Sequence, residues 1–447
     1  MEIKLTPYPG LSPWTPRFGQ NLQSIDKGRF AESYLSLDGP DAHSSGRWSL
    51  SIYSGGFVKL TLSAVLLSAL ATLLVQGILA QAQTGTGSIF QTVPTPNENF
   101  DNGLLAASAS SPNDIWAVGQ STIHFDGATW TAFPAPMIKG DNTGNLAGVV
   151  DISPTLAWAA GTVNIGEANP GQVIERWNGA KWSQVPGPTF APGDVPSIFA
   201  MAYTSESDIW AIGSLLVDEE DLLFLFEHWD GTAWTATTVE SGDAFLEGAS
   251  ADATNDAWAV GFNGAENDDS LTLAMHWNGT SWQQVSTPSV GSGANQLNGV
   301  LALAPNNVWA VGFSTPVAPP QSAATLTLIE HYDGTNWTVV PSPNVGPLNS
   351  FQSNRLFGLT ANSADDIWAF GSYFASDGSG HQMTLLLHWD GTSWTIAPSP
   401  DPHLKGKFLS DLLFAGVVPS PGNVWIFGTE DEPPHSGTLA IHTTTGK

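Results

Sequence analysis

All-β, and within that class a closed ring of seven four-stranded antiparallel sheets, is the fold this sequence predicts, on three observations. A short apolar strand around a Trp, mostly Trp-Ala-Val-Gly, recurs at Trp116, Trp158, Trp210, Trp258, Trp309, Trp368 and Trp425, at intervals of 42 to 59 residues. An (Asp/Asn)-Gly-x-x-Trp turn follows six times, ending on Trp130, Trp182, Trp234, Trp282, Trp337 and Trp394. The seventh unit lacks that final Trp strand, and a fragment at the head of the array supplies its equivalent. Repeats of this length suit one small sheet each. Small sheets that are apolar on both faces are stable only when stacked, and a ring leaves no end exposed.

The unit over residues 350–401 gives the elements in order. Strands are predicted at Arg355–Thr360, Asp366–Phe370, Thr384–Trp389 and Ser393–Ala397. Leu385, Leu386 and Leu387 are apolar in succession, so that strand is covered on both faces. Asp390-Gly391 marks a tight hairpin, because Gly tolerates a positive φ and Asp caps the reversal. Pro398 and Pro400 then end the fourth strand, since Pro cannot donate to a ladder. In the seventh unit strands fall near Leu412–Val417, Val424–Phe427 and Leu439–His442, and the chain stops at Lys447. Phe90-Gln91-Thr92-Val93-Pro94-Thr95-Pro96 reads like Trp337-Thr338-Val339-Val340-Pro341-Ser342-Pro343, with Phe in the Trp slot. Residues 88–97 are therefore expected to complete the last sheet and pair an edge otherwise open to aggregation. The expectation is a seven-bladed β-propeller over residues 88–447.

The order of apolar strand and Gly, variable loop, apolar strand, Asp, Thr, Trp and Pro-containing exit resembles the kelch-type blade of the galactose oxidase and kelch propellers, over residues 88–447. Kelch blades carry a Gly-Gly doublet where this chain has one Gly (Gly119, Gly213, Gly261, Gly312, Gly371), and a longer turn before the Trp. The turn is also similar to the Asp-box of sialidase-like propellers, though here Asp and Gly are adjacent. Neither resemblance brings its catalytic parts. The copper site of galactose oxidase includes a Cys-crosslinked Tyr, and this sequence has no Cys. Sialidases hold a substrate carboxylate with three arginines, whereas residues 88–447 contain only Arg176 and Arg355. A P-loop, a zincin helix motif and a G-x-S-x-G elbow are also missing. Motif absence leaves open a pair of carboxylates drawn from different blades.

Ahead of the ring, residues 1–54 read as an irregular extension without periodicity, and residues 83–87 as a linker. Residues 55–82 read as a signal peptide or membrane anchor. Leu60–Ala80 is an uncharged Leu- and Ala-rich run, preceded by Arg47 and Lys59 and followed by Ala80-Gln81-Ala82, an A-x-A cleavage pattern. Cleavage after Ala82 would release the ring. Without cleavage, residues 58–80 would anchor it, with Arg47 and Lys59 on the inner side. Both readings predict an exported or cell-surface protein, and a monomer.

Charge narrows the partners. Residues 88–447 hold 7 of the 13 basic and 36 of the 41 acidic residues, a balance that repels phosphate backbones and anionic lipid. His124, His228, His276, His331, His388 and His442 share one third-strand slot, with Arg176 in it in the second unit. A radial repeat keeps such equivalents one per blade, so they are structural and not a shared metal site. The Trp residues of the ring all occupy repeat slots, the third being Trp177, Trp229, Trp277 and Trp389, which assigns them to packing between blades.

Variable loops on a rigid scaffold are where binding concentrates. Those between second and third strands are acidic: Asp218, Glu219, Glu220 and Asp221; Glu266, Asp268 and Asp269; Glu430, Asp431 and Glu432. Asp218, Glu220, Asp268 and Asp269 come from neighbouring units and could share calcium; otherwise no cofactor is expected. The function predicted is a non-catalytic recognition or scaffold propeller that binds a protein or polysaccharide through these loops. The alternative is an extracellular carbohydrate-active hydrolase or lyase with carboxylates at the ring mouth.

Overall fold

The computed structural model describes residues 34–38, 47–53, 57–63, 89–97, 102–133, 144–163, 171–218, 220–242, 244–264, 269–316, 324–346, 353–375, 381–400, 410–432 and 435–443. The chain divides into two units, residues 1–87 and 88–447.

In the first unit, β1 (Tyr34–Asp38), β2 (Arg47–Tyr53) and β3 (Phe57–Ser63) form a three-stranded antiparallel sheet in that order. β1 and β2 lie within residues 1–54 and β3 within residues 55–82. Trp48, Leu50 and Ile52 alternate with Arg47, Ser49 and Ser51, the period-two pattern of a strand. The chain then reverses so that Tyr53 pairs with Phe57. Leu60–Ser63, the first part of the apolar run, belongs to β3, while the rest of the run and its A-x-A pattern lie outside the described residues. Among the described residues no helix is long and apolar enough to cross a membrane.

The second unit is an all-β propeller. Its first strand, β4 (Phe90–Thr92), pairs far along the chain. Five separate sheets of four strands follow. The first holds β5 (Leu104–Ser111), β6 (Asp114–Gly119), β7 (Thr122–Phe125) and β8 (Trp130–Ala132). The second holds β9 (Asn145–Ser153), β10 (Leu156–Val163), β11 (Gly171–Trp177) and β12 (Trp182–Gln184). The third holds β13 (Val195–Ser205), β14 (Asp208–Val217), β15 (Asp221–Trp229) and β16 (Trp234–Glu240). The fourth holds β17 (Ala244–Ala253), β18 (Asp256–Asn263), β19 (Leu271–Trp277) and β20 (Trp282–Val285). The fifth holds β21 (Asn295–Ala304), β22 (Asn307–Ser314), β23 (Leu326–Tyr332) and β24 (Trp337–Val339).

The remainder corrects the expected count of seven separate blades. β25 (Asn354–Ser363), β26 (Asp366–Phe374), β27 (Gln382–Trp389) and β28 (Trp394–Ala397) are continuous with β29 (Ser410–Ser420), β30 (Asn423–Glu432), β31 (His435–Thr443) and β4 in one eight-stranded sheet. The junction is a single parallel pair, Gln382 with Ser410. A similar but isolated parallel bridge, Thr325 with Ser353, links the fifth group to the sixth. At the far edge β4 pairs antiparallel with β31, Phe90 opposite Thr443 and Thr92 opposite Ile441.

Sequence chemistry explains the elements. The second strand of each group is apolar and small at successive positions and is covered on both faces; all six residues of β6 are buried. The Asp-Gly hairpins form as the pattern predicts. Asp390 Oδ1 accepts the Thr392 and Ser393 N–H groups at 2.9 Å each, and Gly391 has φ +87°. The Thr392 hydroxyl, and then the two N–H bonds, hold the Asp390 carboxyl down at about 2.

Aromatic rings join each group to the next. Trp116 meets Trp177 and Trp182 with centroids 4.9 Å away. The step repeats from Trp158 to Trp229 (4.8 Å), Trp210 to Trp277 (5.0 Å), Trp258 to Tyr332 (4.8 Å) and Trp309 to Trp389 (5.0 Å). Trp368 then meets the edge of Phe90 at 5.0 Å, and Trp425 meets Phe125 at 5.4 Å. Most of these pairs are edge-to-face or tilted, the geometries the ring quadrupole favours.

Candidate functional site

The acidic residues singled out by sequence fall, where they are described, in two turns and one strand pair. Asp218 sits in the β14–β15 turn with φ +49°, Val217 accepting the Glu220 N–H at 3.0 Å, and Asp221 opens β15. Glu219, Glu266 and Asp268 lie outside the described residues, and Asp269 lies in the turn before β19. Glu430, Asp431 and Glu432 are not in a loop. They extend β30, because β31 folds back at His435 and pairs with them along their length. Among the described residues no group of three or more His, Asp or Glu could hold a metal ion.

Each histidine of the shared slot is held inside its own sheet. His124 bonds Asp114 at 2.6 Å, His228 bonds Asp208 at 2.7 Å, His276 bonds Asp256 at 2.9 Å and His388 bonds Asp366 at 2.8 Å. In two units Asn replaces Asp: His331 bonds Asn307 and His442 bonds Asn423. The imidazole also lies on the repeat Trp, as in His228 on Trp210 at 4.3 Å. Burial alone would raise the Asp208 carboxyl, but His228 and Thr204 hold it below its usual value. In the second unit Leu156 takes the Asp slot and Arg176 the His slot, its guanidinium 5.7 Å over Trp158.

Among the described residues a cavity of about 1080 Å³ has room for a ligand, lined mainly by β5, β9, β13, β17, β21, β25 and β29. One bulge per strand builds it. Each inner strand shifts register with its neighbour twice, once near the first-to-second turn and once at the cavity, where one residue is skipped: between Leu104 and Ala106, Leu146 and Gly148, Ile198 and Ala200, Leu246 and Gly248, Leu297 and Gly299, Leu356 and Gly358, and Leu413 and Ala415. The skipped residues, Leu105, Ala147, Phe199, Glu247, Asn298, Phe357 and Phe414, all line the cavity. A bulged residue leaves the ladder and its side chain is re-aimed.

Opposite each bulge stands the single Gly of the Trp-Ala-Val-Gly motif. A Cβ on Gly213 would collide with the Ser197 carbonyl, and one on Gly428 with the Leu412 carbonyl. Behind the bulge only Ala or Gly follows, and neighbouring inner strands approach backbone to backbone. A Cβ on Gly248 would lie 2.8 Å from the Asn298 carbonyl oxygen, and one on Gly299 2.8 Å from that of Phe357. Small residues thus make the waist, and the bulge ring stands beyond it.

The bulges lie in the half of each inner strand nearest the second-to-third turns. Val195, at the head of β13, pairs with Leu216 beside the Asp218 turn. Phe199 and Phe245 are each 37 % exposed, unusual for large apolar side chains inside a concave wall. Phe357 and Phe414 pack together at 5.0 Å. Asn298 donates to the Leu356 carbonyl at 2.7 Å. The described lining carries one carboxylate, Glu247, and one guanidinium, Arg355, which lies 4.3 Å over Phe313. The sequence reading missed this ring. Its one visible signal was the repeated single Gly, which marks the bulge from the opposite strand.

Fold and cavity define a β-propeller protein. No family model matches the sequence, and no curated protein matches it. Solved structures do match in fold. The WD40 repeats of RRP9 align with a TM-score of 0.50 at 8 % identity, over 79 % of this chain and 97 % of that one. YCF48 bound to D1 peptide aligns with a TM-score of 0.49 at 13 % identity, over 81 % and 98 %. A streptogramin B lyase aligns with a TM-score of 0.49 at 12 % identity, over 79 % and 98 %. At these identities the likeness is one of architecture.

Proposed function

We propose that the protein is an exported, non-catalytic recognition propeller that holds a protein or polysaccharide at the face where the variable turns surround the bulge ring. One observation carries this reading: a cavity of about 1080 Å³ with Phe199 and Phe245 left 37 % exposed within its wall. Ligand sites are concave and mainly apolar, with a few placed polar groups. The carbohydrate-active alternative needs two carboxylates facing across the mouth, and the described lining supplies Glu247 alone. We read the eight-stranded sheet as two blades, giving seven in a ring closed by residues 88–97. Seven inner strands around one cavity and the Trp425 contact with Phe125 support that count.

The test is a peptide and glycan binding screen on the full-length protein. A ligand bound by the wild type is expected to bind at least about tenfold more weakly to the Phe199→Ala/Phe245→Ala variant, the loss of two partly buried aromatic contacts. Equal binding, or turnover of a bound glycan, would overturn the proposal. Calcium at Asp218, Glu220, Asp268 and Asp269 is a separate proposal. At a hundredfold above its dissociation constant it would add about 2.7 kcal/mol of stability, and an unchanged unfolding temperature in millimolar calcium would dispose of it.

A further inference from the structure

We infer that the cavity receives basic side chains, lysine or arginine, of a partner polypeptide, the cation at Glu247 and its apolar stem against Phe199 and Phe245. The inference rests on the recognition reading above and names the ligand class. The bulge of β17 delivers Glu247 into the cavity, where it is solvent-exposed. The bulge of the preceding inner strand presents Phe199, and Phe245 stands two residues before Glu247 on β17 itself. A carboxylate beside exposed aromatic faces is the arrangement that holds an alkylammonium or guanidinium, by charge at one end and by cation–π and apolar contact along the stem.

Two further observations point the same way. The cavity already holds one such pairing of its own, the Arg355 guanidinium 4.3 Å over the Phe313 ring. An incoming arginine would repeat on Phe199 or Phe245 what Arg355 does on Phe313. The surrounding field is also one-sided: residues 88–447 carry 36 acidic side chains against 7 basic ones. Such a field draws cations towards a cleft and repels anionic glycans and phosphates. The volume, about 1080 Å³, is large for one amino acid and fits a segment of several residues.

The experiment is fluorescence anisotropy on the full-length protein with three labelled peptides: Lys-Leu-Lys-Phe, the same peptide acetylated on both lysines, and Glu-Leu-Glu-Phe. The lysine peptide is expected to bind, more weakly as salt rises, and both others at least about tenfold more weakly. Glu247→Gln should remove the preference for the lysine peptide over its acetylated form, while Phe199→Ala should weaken both. Near-UV circular dichroism of each variant checks that the ring is intact. Equal affinity for the lysine and acetylated peptides, or a Glu247→Gln protein with its preference intact, would overturn the inference. If Phe199→Ala still weakened binding in that case, the recognition reading would stand. A neutral polysaccharide bound in place of all three peptides, and lost in Phe199→Ala, would likewise sink the basic-peptide claim alone. Binding of no probe in a cavity-dependent way would end both.

Discussion

Between pH 5 and pH 8 the propeller is expected to lose stability as pH rises, by several kcal/mol, an amount comparable with the roughly 5–15 kcal/mol that holds most domains folded. Glu227 on β15 and Glu330 on β23 occupy the same repeat slot and are fully buried. Burial pushes both carboxyls up to about 8 from an ordinary 4.5. Gln172 approaches Glu227 from β11 and pulls back a little of that shift, yet neither carboxyl oxygen reaches hydrogen-bonding geometry. Between 4.5 and 8 the folded state keeps protons that the unfolded chain releases. Stability is therefore full below about pH 4.5, declines through neutrality and levels off above about 8, after a loss of roughly 5 kcal/mol per group. Asp151, raised to about 8 by burial and then by the Asp114 charge, adds in the same direction. Asp230 and Asp390, held down at about 2, act with the opposite sign only in acid, outside this window.

Glu227→Gln isolates the effect. The Gln172 Oε1 has no hydrogen-bond partner, and an amide at 227 brings it N–H donors while carrying no proton to lose. The variant should be more stable than wild type at pH 7, by about 3 kcal/mol, with a shallower pH dependence. Denaturant melts at pH 5, 7 and 9 measure both quantities. A flat wild-type profile would show that these carboxyls ionise in the folded state at ordinary cost.

Gly213→Ala is expected to destabilise by on the order of 3 kcal/mol or more, because the new methyl would collide with the Ser197 carbonyl across the bulge. The obstacle is backbone of the neighbouring strand, so no rotamer change relieves it. Relief requires straightening the bulge, which would withdraw Phe199 from the cavity wall. Gly171→Ala is the control: a Cβ there meets nothing within 4 Å, and its effect should stay within about 0.5 kcal/mol. Urea midpoints distinguish the two, and coincident midpoints would mean that the repeat Gly does not answer to the bulge.

Strand order was legible because side-chain type repeats with it. The Trp of the second strand, the His or Arg of the third and the Asp-Gly turn each return in one slot, and a slot that returns has one structural explanation. The histidines answer to that logic, each bonded to an Asp or Asn of its own sheet. Even the second unit, where Leu156 and Arg176 replace the pair together, keeps the cation over its Trp. The bulge ring was not legible for the opposite reason. Leu105, Ala147, Phe199, Glu247, Asn298, Phe357 and Phe414 share a backbone position and no side-chain chemistry. The invariant trace lay across the ladder, in a Gly noticed only as a departure from the kelch doublet. The merging of two strand groups was equally hidden, since it rests on a single parallel backbone pair, Gln382 with Ser410, that no side-chain pattern marks. Glu430–Glu432 misled for a related reason: a run of acids looks like a loop, while pairing with β31 keeps it extended.

The aromatic contacts between strand groups give the molecule an optical property. Indoles with centroids about 5 Å apart exchange excitation far faster than they emit, so a photon absorbed at Trp116 does not stay there. Emission should be strongly depolarised even in a rigid, slowly tumbling protein, and the near-ultraviolet circular dichroism should carry paired bands of opposite sign. Both signals report in part on neighbouring groups being in register, and both weaken when a seam opens while every strand keeps its hydrogen bonds, the pairs inside one sheet, such as Trp177 with Trp182, remaining. Light thus distinguishes a loosened stack from a melted sheet in this chain without a label.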